Sequence, residues 1–275
     1  MSKIAIFIYE NMIFRQLFDP ETSTYSYLLA DPASREAVLI DSVSEQFERD
    51  VTLIRELGLT LKYAAETHVH ADHVTASGRL REALGARVAV SAAAGVTNGD
   101  VALGHGDCLE VGKLRLEARS TPGHTAGCTT YVCHAMGMAF TGDALLVRGC
   151  GRTDFQEGDP HVLYRSVREQ IFSLPGETLL YPGHDYRGRT VTTVAEERQF
   201  SPRLRDGTSE EAFAEIMNGL DLAYPSRIDV AVPANLQSGL AGTGASSGAD
   251  APPVAAVMEQ LGRQDADSVF LGMGI

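Results

Sequence analysis

The feature that most constrains this chain is the run THVHADHVTASG at residues 67–78, which follows a predicted strand, LKYAAET. Within six positions it supplies four candidate metal ligands: His68, His70, Asp72 and His73. Imidazole nitrogen and carboxylate oxygen suit borderline divalent metals, and clustering arranges the ligands at little further entropic cost. Because such ligand sets rarely gather without a metal, the run predicts a metal site at the end of a strand.

Three later segments each supply one more group of the same kind. TPGHTAGC contains His124, FTGDALL contains Asp143, and YPGHDYRG contains His184. Each group follows a predicted strand and a glycine, which lets the backbone approach closely and the next side chain project into a shared centre. Each segment alone is ordinary turn material, but the shared pattern predicts that all three join the first cluster.

Hydrophobic patterns along the chain predict an α/β fold. STYSYLLA and DPASREAVLID form a predicted hairpin that turns at Asp31 and Pro32, and EQFERDVTLIRELG is a predicted helix that ends at Gly58. SGRLREALGA, VTTVAEERQF and SEEAFAEIMNGL, the last capped by Ser209, are predicted helices, while ARVAVS, KLRLEARST, CTTYVCH and GMAFTGD are predicted strands. This order indicates two mixed β-sheets with helices outside them.

Charge and composition exclude several classes of partner. The net charge of -13 repels phosphate backbones and anionic lipid headgroups, so we expect neither a nucleic acid nor a membrane partner. The first residues resemble neither a cleaved signal nor a transit peptide, and no window approaches the roughly 18 apolar residues of a membrane span. Four cysteines without CxxC spacing favour a reducing compartment. We therefore predict a cytoplasmic protein.

The composition changes near the end of the chain. Residues 239–253, GLAGTGASSGADAPP, are almost devoid of large apolar groups, so they cannot offset their own ordering entropy. We expect one catalytic domain over residues 1–238, followed by a linker and tail over residues 239–275.

The HVHADH run, with the later His124, Asp143 and His184, resembles the metallo-β-lactamase superfamily over roughly residues 15–235. This resemblance implies an αββα sandwich of two mixed β-sheets with outer helices, and a metal cleft at one edge of the paired sheets. The superfamily contains both hydrolases and oxidoreductases. The fold therefore does not determine the reaction.

A narrower resemblance rests on LLVRGCGRTDFQEGD, residues 145–159, together with MIFRQLFDPETSTYSYLLAD, YPGHDYRGRTVTTVAEER and DVAVPANLQSG. These segments are similar to the ETHE1-type persulfide dioxygenases. The resemblance implies one Fe²⁺ per chain on His68, His124 and Asp143, and oxidation of glutathione persulfide by O2 to sulfite and glutathione. Such a facial triad leaves adjacent positions open for oxygen and sulfur.

The same resemblance assigns roles to residues around the triad. Four groups are implied to support the iron ligands or to be the remains of a second metal site: His70, Asp72, His73 and His184. Arg152 is implied to hold the glutathione portion, since its planar fork can bond both oxygens of a carboxylate. Tyr186 is implied to stand near the open iron positions, so Arg152 and Tyr186 are the candidate catalytic and substrate-binding residues. Some relatives carry a cysteine after AVPAN where this chain has Ser238.

Two other functions use the same residues. In a two-metal glutathione thioester hydrolase similar to glyoxalase II, Asp72, His73 and His184 bind a second metal. The short, Gly/Ala-rich C-terminal portion, which lacks a basic helical substrate-binding domain, argues against it. A non-catalytic binding protein would instead close its site with a fourth ligand. The sequence leaves the oligomeric state open, a homodimer included.

Overall fold

Two six-stranded β-sheets form the centre of the described chain, residues 12–240 of this computed structural model. In bonded order, the first sheet contains β1 (Ile13–Asp19), β2 (Thr24–Ala30), β3 (Glu36–Ile40), β4 (Thr60–Ala65), β5 (Arg87–Ser91) and β6 (Val101–Leu103). Strands β1 to β3 are antiparallel, and β3 to β6 are parallel. The first sheet is therefore mixed, as predicted.

The second sheet is also mixed. In bonded order it contains β12 (Thr192–Thr193), β11 (Leu179–Pro182), β10 (Met138–Gly142), β9 (Thr129–Cys133), β8 (Leu114–Ser120) and β7 (Cys108–Val111). Its strand pairs are antiparallel except for β10 and β11.

Helices lie on the outer faces of the sheets. The described helices are α1 (Phe47–Glu56), α2 (Ser77–Leu84), α3 (Pro160–Ser166), α4 (Val194–Phe200), α5 (Glu210–Asn218) and α6 (Ile228–Asn235). A 3-10 turn, Ser44–Gln46, precedes α1, another covers His134–Met136, and a π-helical turn, Val167–Ile171, continues α3.

Three apolar clusters hold these layers together. Tyr27 of β2 and Phe140 of β10 belong to the cluster between the sheets. The next residue, Leu28, points to the other face of β2 and packs in the cluster that contains residues of α1 and α2. A third cluster joins the second sheet to α3 and α5. All seven residues of β2 are buried because both faces of the sheet are covered, and the predicted αββα sandwich is confirmed.

Most predicted elements are confirmed, including the hairpin, α1, α2 and α5, where Ser209 Oγ accepts a hydrogen bond from the Ala212 N–H. The prediction for VTTVAEERQF is wrong in its first residues, because Thr192 and Thr193 pair with β11 before α4 begins. Thr193 also caps α4, since its Oγ1 accepts from the Glu196 N–H. The sequence patterns missed β1, β6, β7, α3 and the helical form of α6.

The chain ends lie outside the described residues. Residues 1–11 and 241–275 include the apolar N-terminal run and nearly all of the predicted linker and tail, so that division into domains stays a prediction. Within residues 12–240, no helix is both long enough and apolar enough to cross a membrane.

Phe140 provides a test of the inter-sheet core. Its side chain is fully buried, so Phe140→Ala should lower the free energy of unfolding by about 3–5 kcal/mol through lost packing and a residual cavity. Urea denaturation followed by circular dichroism measures this change. Phe200→Ala is the control, because Phe200 is 54% exposed and its loss should cost under about 1 kcal/mol. Equal losses in the two variants would contradict this layer assignment.

Candidate metal centre

The structure brings the predicted triad together. His68 lies beyond the end of β4, His124 lies between β8 and β9, and Asp143 directly follows β10. Each offers one ligand atom, and these three atoms lie within 4.8 Å of one another. His124 Nε2 is 3.8 Å from Asp143 Oδ2, a separation that suits two ligands of one ion at about 2.1 Å each. Two imidazole nitrogens and one carboxylate oxygen fit iron(II).

Two glycines allow the ligand loops to pack this closely. Gly142 has φ +50°, and a Cβ there would lie 2.5 Å from Thr67 Oγ1. Gly123 has φ +125°, and a Cβ there would lie 2.3 Å from the backbone nitrogen of Leu163. Because any other residue would be strained and would clash, both positions require glycine. This confirms the close backbone approach predicted beside Asp143 and His124.

Hydrogen bonds determine which nitrogen each ligand histidine presents. Thr67 Oγ1 donates its proton to Asp41 Oδ2 at 2.8 Å, so it accepts a hydrogen bond from His68 Nδ1 at 2.9 Å. His124 Nδ1 donates to the carbonyl oxygen of Arg152 at 2.6 Å. With Nδ1 protonated in both rings, Nε2 is the nitrogen available to a metal. Asp72, one of the four groups implied to support the iron ligands, contacts neither of these two histidines but His73 and His184.

Asp72 is half-buried and belongs to a second network, whose other members are buried. Its Oδ2 lies 2.9 Å from His73 Nδ1 and 3.0 Å from His184 Nε2, and His184 Nδ1 lies 2.7 Å from Asp143 Oδ1. Burial alone would lower the pKa of His184, but Asp143 and Asp72 hold it well above its usual value. Burial would raise the pKa of Asp143, yet His184 and the neighbouring imidazoles hold it below its usual range. Asp143 is therefore ionised, with Oδ1 bonded to His184.

His70 lies between two buried carboxylates that the sequence did not single out. Its Nε2 is 3.2 Å from Asp41 Oδ1 and 3.3 Å from Glu66 Oε2. Burial opposes protonation of His70, but these carboxylates raise its pKa to about 10. The ligand atoms of His70, Asp72 and His73 also lie within 4.8 Å of one another, so a second candidate metal set adjoins the triad.

Asn235, the last residue of AVPAN, fastens the ligand loop to α6. Its Nδ2 donates to the carbonyl oxygens of His70 at 2.9 Å and His73 at 2.8 Å, and its Oδ1 accepts from the Thr75 N–H at 2.9 Å. The side chain is buried, so these three bonds satisfy both its own groups and the backbone of the loop. The sequence contained this motif but offered no local signal for its contacts.

The triad faces a cleft of about 460 Å³, which Arg152 and Tyr186 also line. The volume lies in the usual range for small-molecule sites, about 300–1,000 Å³. Tyr186 is 74% exposed, and its ring lies parallel to that of His184 with the centroids 6.2 Å apart. Arg203 lines the same cleft and was missed by the sequence analysis.

Comparisons with known proteins identify relatives of this chain. Residues 19–184 match the family model described as the metallo-beta-lactamase superfamily. The Mus musculus protein named persulfide dioxygenase ETHE1, mitochondrial, is 53% identical over 230 residues, which cover 83% of this chain and 89% of the relative. A crystal structure of ETHE1 from Myxococcus xanthus is 53% identical, covers 83% of this chain and 100% of its own, and superposes with a TM-score of 0.81.

A hydrolase relative matches less of the chain. The hydroxyacylglutathione hydrolase of Cereibacter sphaeroides is 36% identical over 167 residues, which cover 60% of this chain and 64% of the hydrolase.

Asn235→Ala tests whether α6 supports the metal loop. The substitution leaves two buried carbonyls and one buried N–H without their partner, so the free energy of unfolding should fall by at least about 2 kcal/mol. Affinity for the metal should fall about 10-fold to 100-fold, measured by competition with a chelator. Asn218→Ala is the matched control, since Asn218 is exposed at the end of α5. An Asn235→Ala protein as stable as the wild type would contradict the role.

Proposed function

This chain belongs to the metallo-β-lactamase superfamily and, within it, to the persulfide dioxygenases of ETHE1 type, and we propose that it oxidises glutathione persulfide at one Fe²⁺ per chain. The observation that carries the proposal is the convergence of His68, His124 and Asp143 within 4.8 Å, in a chain 53% identical to a named persulfide dioxygenase. The products are sulfite and glutathione. Two sulfite oxygens come from O2 and the third from water, while the outer sulfur gives four electrons to O2.

Iron fits the donor set on chemical grounds. Two neutral imidazoles and one carboxylate are the donors of facial-triad iron(II) sites, which leave positions open. When bound, the ion supplies Lewis acidity and the redox chemistry that O2 activation requires. His68 and His124 would hold it through Nε2, and Asp143 through Oδ2, the oxygen nearer to His124.

Hydrogen bonds within the protein orient the ligand side chains without the help of a metal. The Thr67 hydroxyl and the Arg152 carbonyl fix the tautomers of His68 and His124, so neither ring must reorient. His184 holds Asp143 Oδ1, which fixes the orientation of the carboxylate and keeps it ionised. This preorganisation reduces the entropic cost of binding the ion.

Arg152 and Tyr186 complete the proposal as residues of the substrate cleft. Both line the cleft beside the triad. Arg152 donates from Nε and Nη2 to Asp154 at 2.6 and 2.7 Å, and from Nη1 to the Ala223 carbonyl at 2.8 Å. These bonds hold the Arg152 side chain in place as part of the cleft wall. Tyr186 instead has an exposed phenol that can contact the substrate.

We also propose a cytoplasmic location and small-molecule partners. The net charge of -13 supports the absence of nucleic acid and of anionic membrane surfaces as partners. The name of the mouse relative places that protein in mitochondria, so cell fractionation is the measurement that tests the location proposed for this chain.

A paired metal and oxygen measurement tests the reaction. Protein purified anaerobically should contain about one iron and little zinc per chain, and should consume O2 and release sulfite only when glutathione persulfide is added. Metal analysis, an oxygen electrode and sulfite chromatography provide the readouts. Two tightly bound metals together with hydrolysis of a glutathione thioester would identify the two-metal hydrolase instead.

His184 separates a one-metal from a two-metal enzyme. We expect Asp143→Ala to lose both iron and activity, because a ligand is removed. His184→Ala should keep close to one iron per chain and measurable sulfite production, with turnover reduced about 10-fold to 100-fold through loss of support for Asp143. Iron content and sulfite yield are measured on both variants in parallel. A His184→Ala protein as inactive and as metal-depleted as Asp143→Ala would refute the one-metal assignment.

A further inference from the structure

The cleft contains a second arginine, Arg203, whose positive charge is not paired with a neighbouring carboxylate in the part of the chain that the structure describes. Arg203 is half-buried and lines the same cleft as the triad. Within residues 12–240, its guanidinium has no carboxylate within ion-pair distance, and its contacts are to sulfur. Nη1 lies 3.6 Å from Met217 Sδ, and the group also adjoins the Cys150 thiol, whose pKa burial raises to about 11. Because sulfur is a weak hydrogen-bond acceptor, the donors of Arg203 are poorly satisfied.

Arg152 differs from Arg203 in this respect. Its Nε and Nη2 form a two-pronged ion pair with Asp154, and its Nη1 and Nη2 donate to the carbonyls of Ala223 and Leu222. Four of its five N–H groups therefore have oxygen partners, and its charge is already balanced. These bonds tie the loop of residues 222–223, which lines the cleft, to the segment that follows Asp143.

The surroundings of the cleft favour capture of an anion at Arg203. The chain carries a net charge of -13, and Asp72 and Asp143 line the cleft, so an anionic substrate needs a local unpaired cation. Leu146, Leu222 and Pro225 provide apolar walls, which strengthen an ion pair by excluding water.

The backbone that carries Arg203 is firmly held. Ser201 and Leu204, on either side, are fully buried, and Ser201 Oγ accepts a hydrogen bond from the Leu204 N–H. Met217 of α5 packs against the guanidinium. The arginine is therefore presented from a rigid turn, which reduces the entropy lost when a ligand binds.

We propose that Arg203 anchors a carboxylate of the glutathione moiety, and that Arg152 is a positioning residue that holds the cleft wall. The inference rests on the proposed function for the identity of the substrate. Glutathione carries a free carboxylate at each end of a short peptide, with its sulfur between them. A guanidinium with free donors suits a two-pronged bond to such a carboxylate.

Direct binding tests this assignment apart from the reaction. Calorimetry on the iron-loaded protein uses glutathione itself and its diethyl ester, in which both carboxylates are blocked. Arg203→Gln should weaken glutathione binding about 10-fold to 100-fold, as expected when charged hydrogen bonds are lost, and should leave ester binding unchanged. Arg203→Lys should restore part of the affinity. Arg152→Gln should weaken the binding of both ligands and lower the melting temperature, because it loosens the wall.

Arg205→Gln is the matched control, since it removes the same charge from an exposed side chain two residues away and should change neither affinity. In turnover, Arg203→Gln should raise KM for glutathione persulfide about 10-fold to 100-fold, with kcat within about 3-fold and iron content unchanged.

Three outcomes would overturn the inference. They are wild-type protein that does not bind glutathione, an Arg203→Gln protein that binds it normally, and an Arg152→Gln protein that loses glutathione binding while it keeps ester binding. If the wild type binds glutathione through Arg203 but does not oxidise the persulfide, the proposed reaction is wrong. The role of Arg203 in binding the glutathione carboxylate is then still supported.

Discussion

The hydrogen bonds of Thr67 are the interaction on which the metal centre depends. This buried residue follows β4 of the first sheet, and its N–H and hydroxyl both donate to the Asp41 carboxylate. Its carbonyl accepts from the Thr129 N–H at the start of β9, in the second sheet, at 2.8 Å. Thr67 therefore joins the two sheets at the edge where their ligand loops meet. Its hydroxyl also orients His68, so a single residue couples the packing of the sandwich to the direction of a ligand.

Buried charges at this edge are balanced in pairs or triads. Asp143 bonds to His184, His184 also bonds to Asp72, and His70 lies between Asp41 and Glu66. An isolated buried carboxylate would be expensive, so each of these histidines offsets a cost that the neighbouring acid imposes. The network keeps the ligand carboxylate ionised and in place, although none of its members except Asp143 belongs to the triad.

Local patterns in the sequence predicted most of the fold and the seven candidate ligands, because periodic apolar residues and clustered or glycine-flanked ligands act over short distances. The resemblance to persulfide dioxygenases selected the three members of the triad among them. What they could not predict depends on contacts between distant segments. Asn235 bonds to Thr75 and His70, which lie 160 and 165 positions earlier in the chain. Arg148 pairs with Glu197, which lies 49 positions later. The strands β6 and β7 have three and four residues, too few for a period of two to stand out. No local pattern distinguishes Arg203 from the other arginines, because its position in the cleft depends on the tertiary structure.

The metal ligands and the arginine proposed to bind the substrate lie on different structural elements of this cleft. The triad lies in loops that leave the two sheets, where Gly142 and Gly123 leave no room for a change of side chain. Arg203 instead lies on the turn between α4 and α5, and the wall that Arg152 holds belongs to the loop after α5. These segments supply none of the three triad ligands. A superfamily built this way can change the substrate while it keeps the metal centre, since the residues that select the substrate are not those that hold the ion.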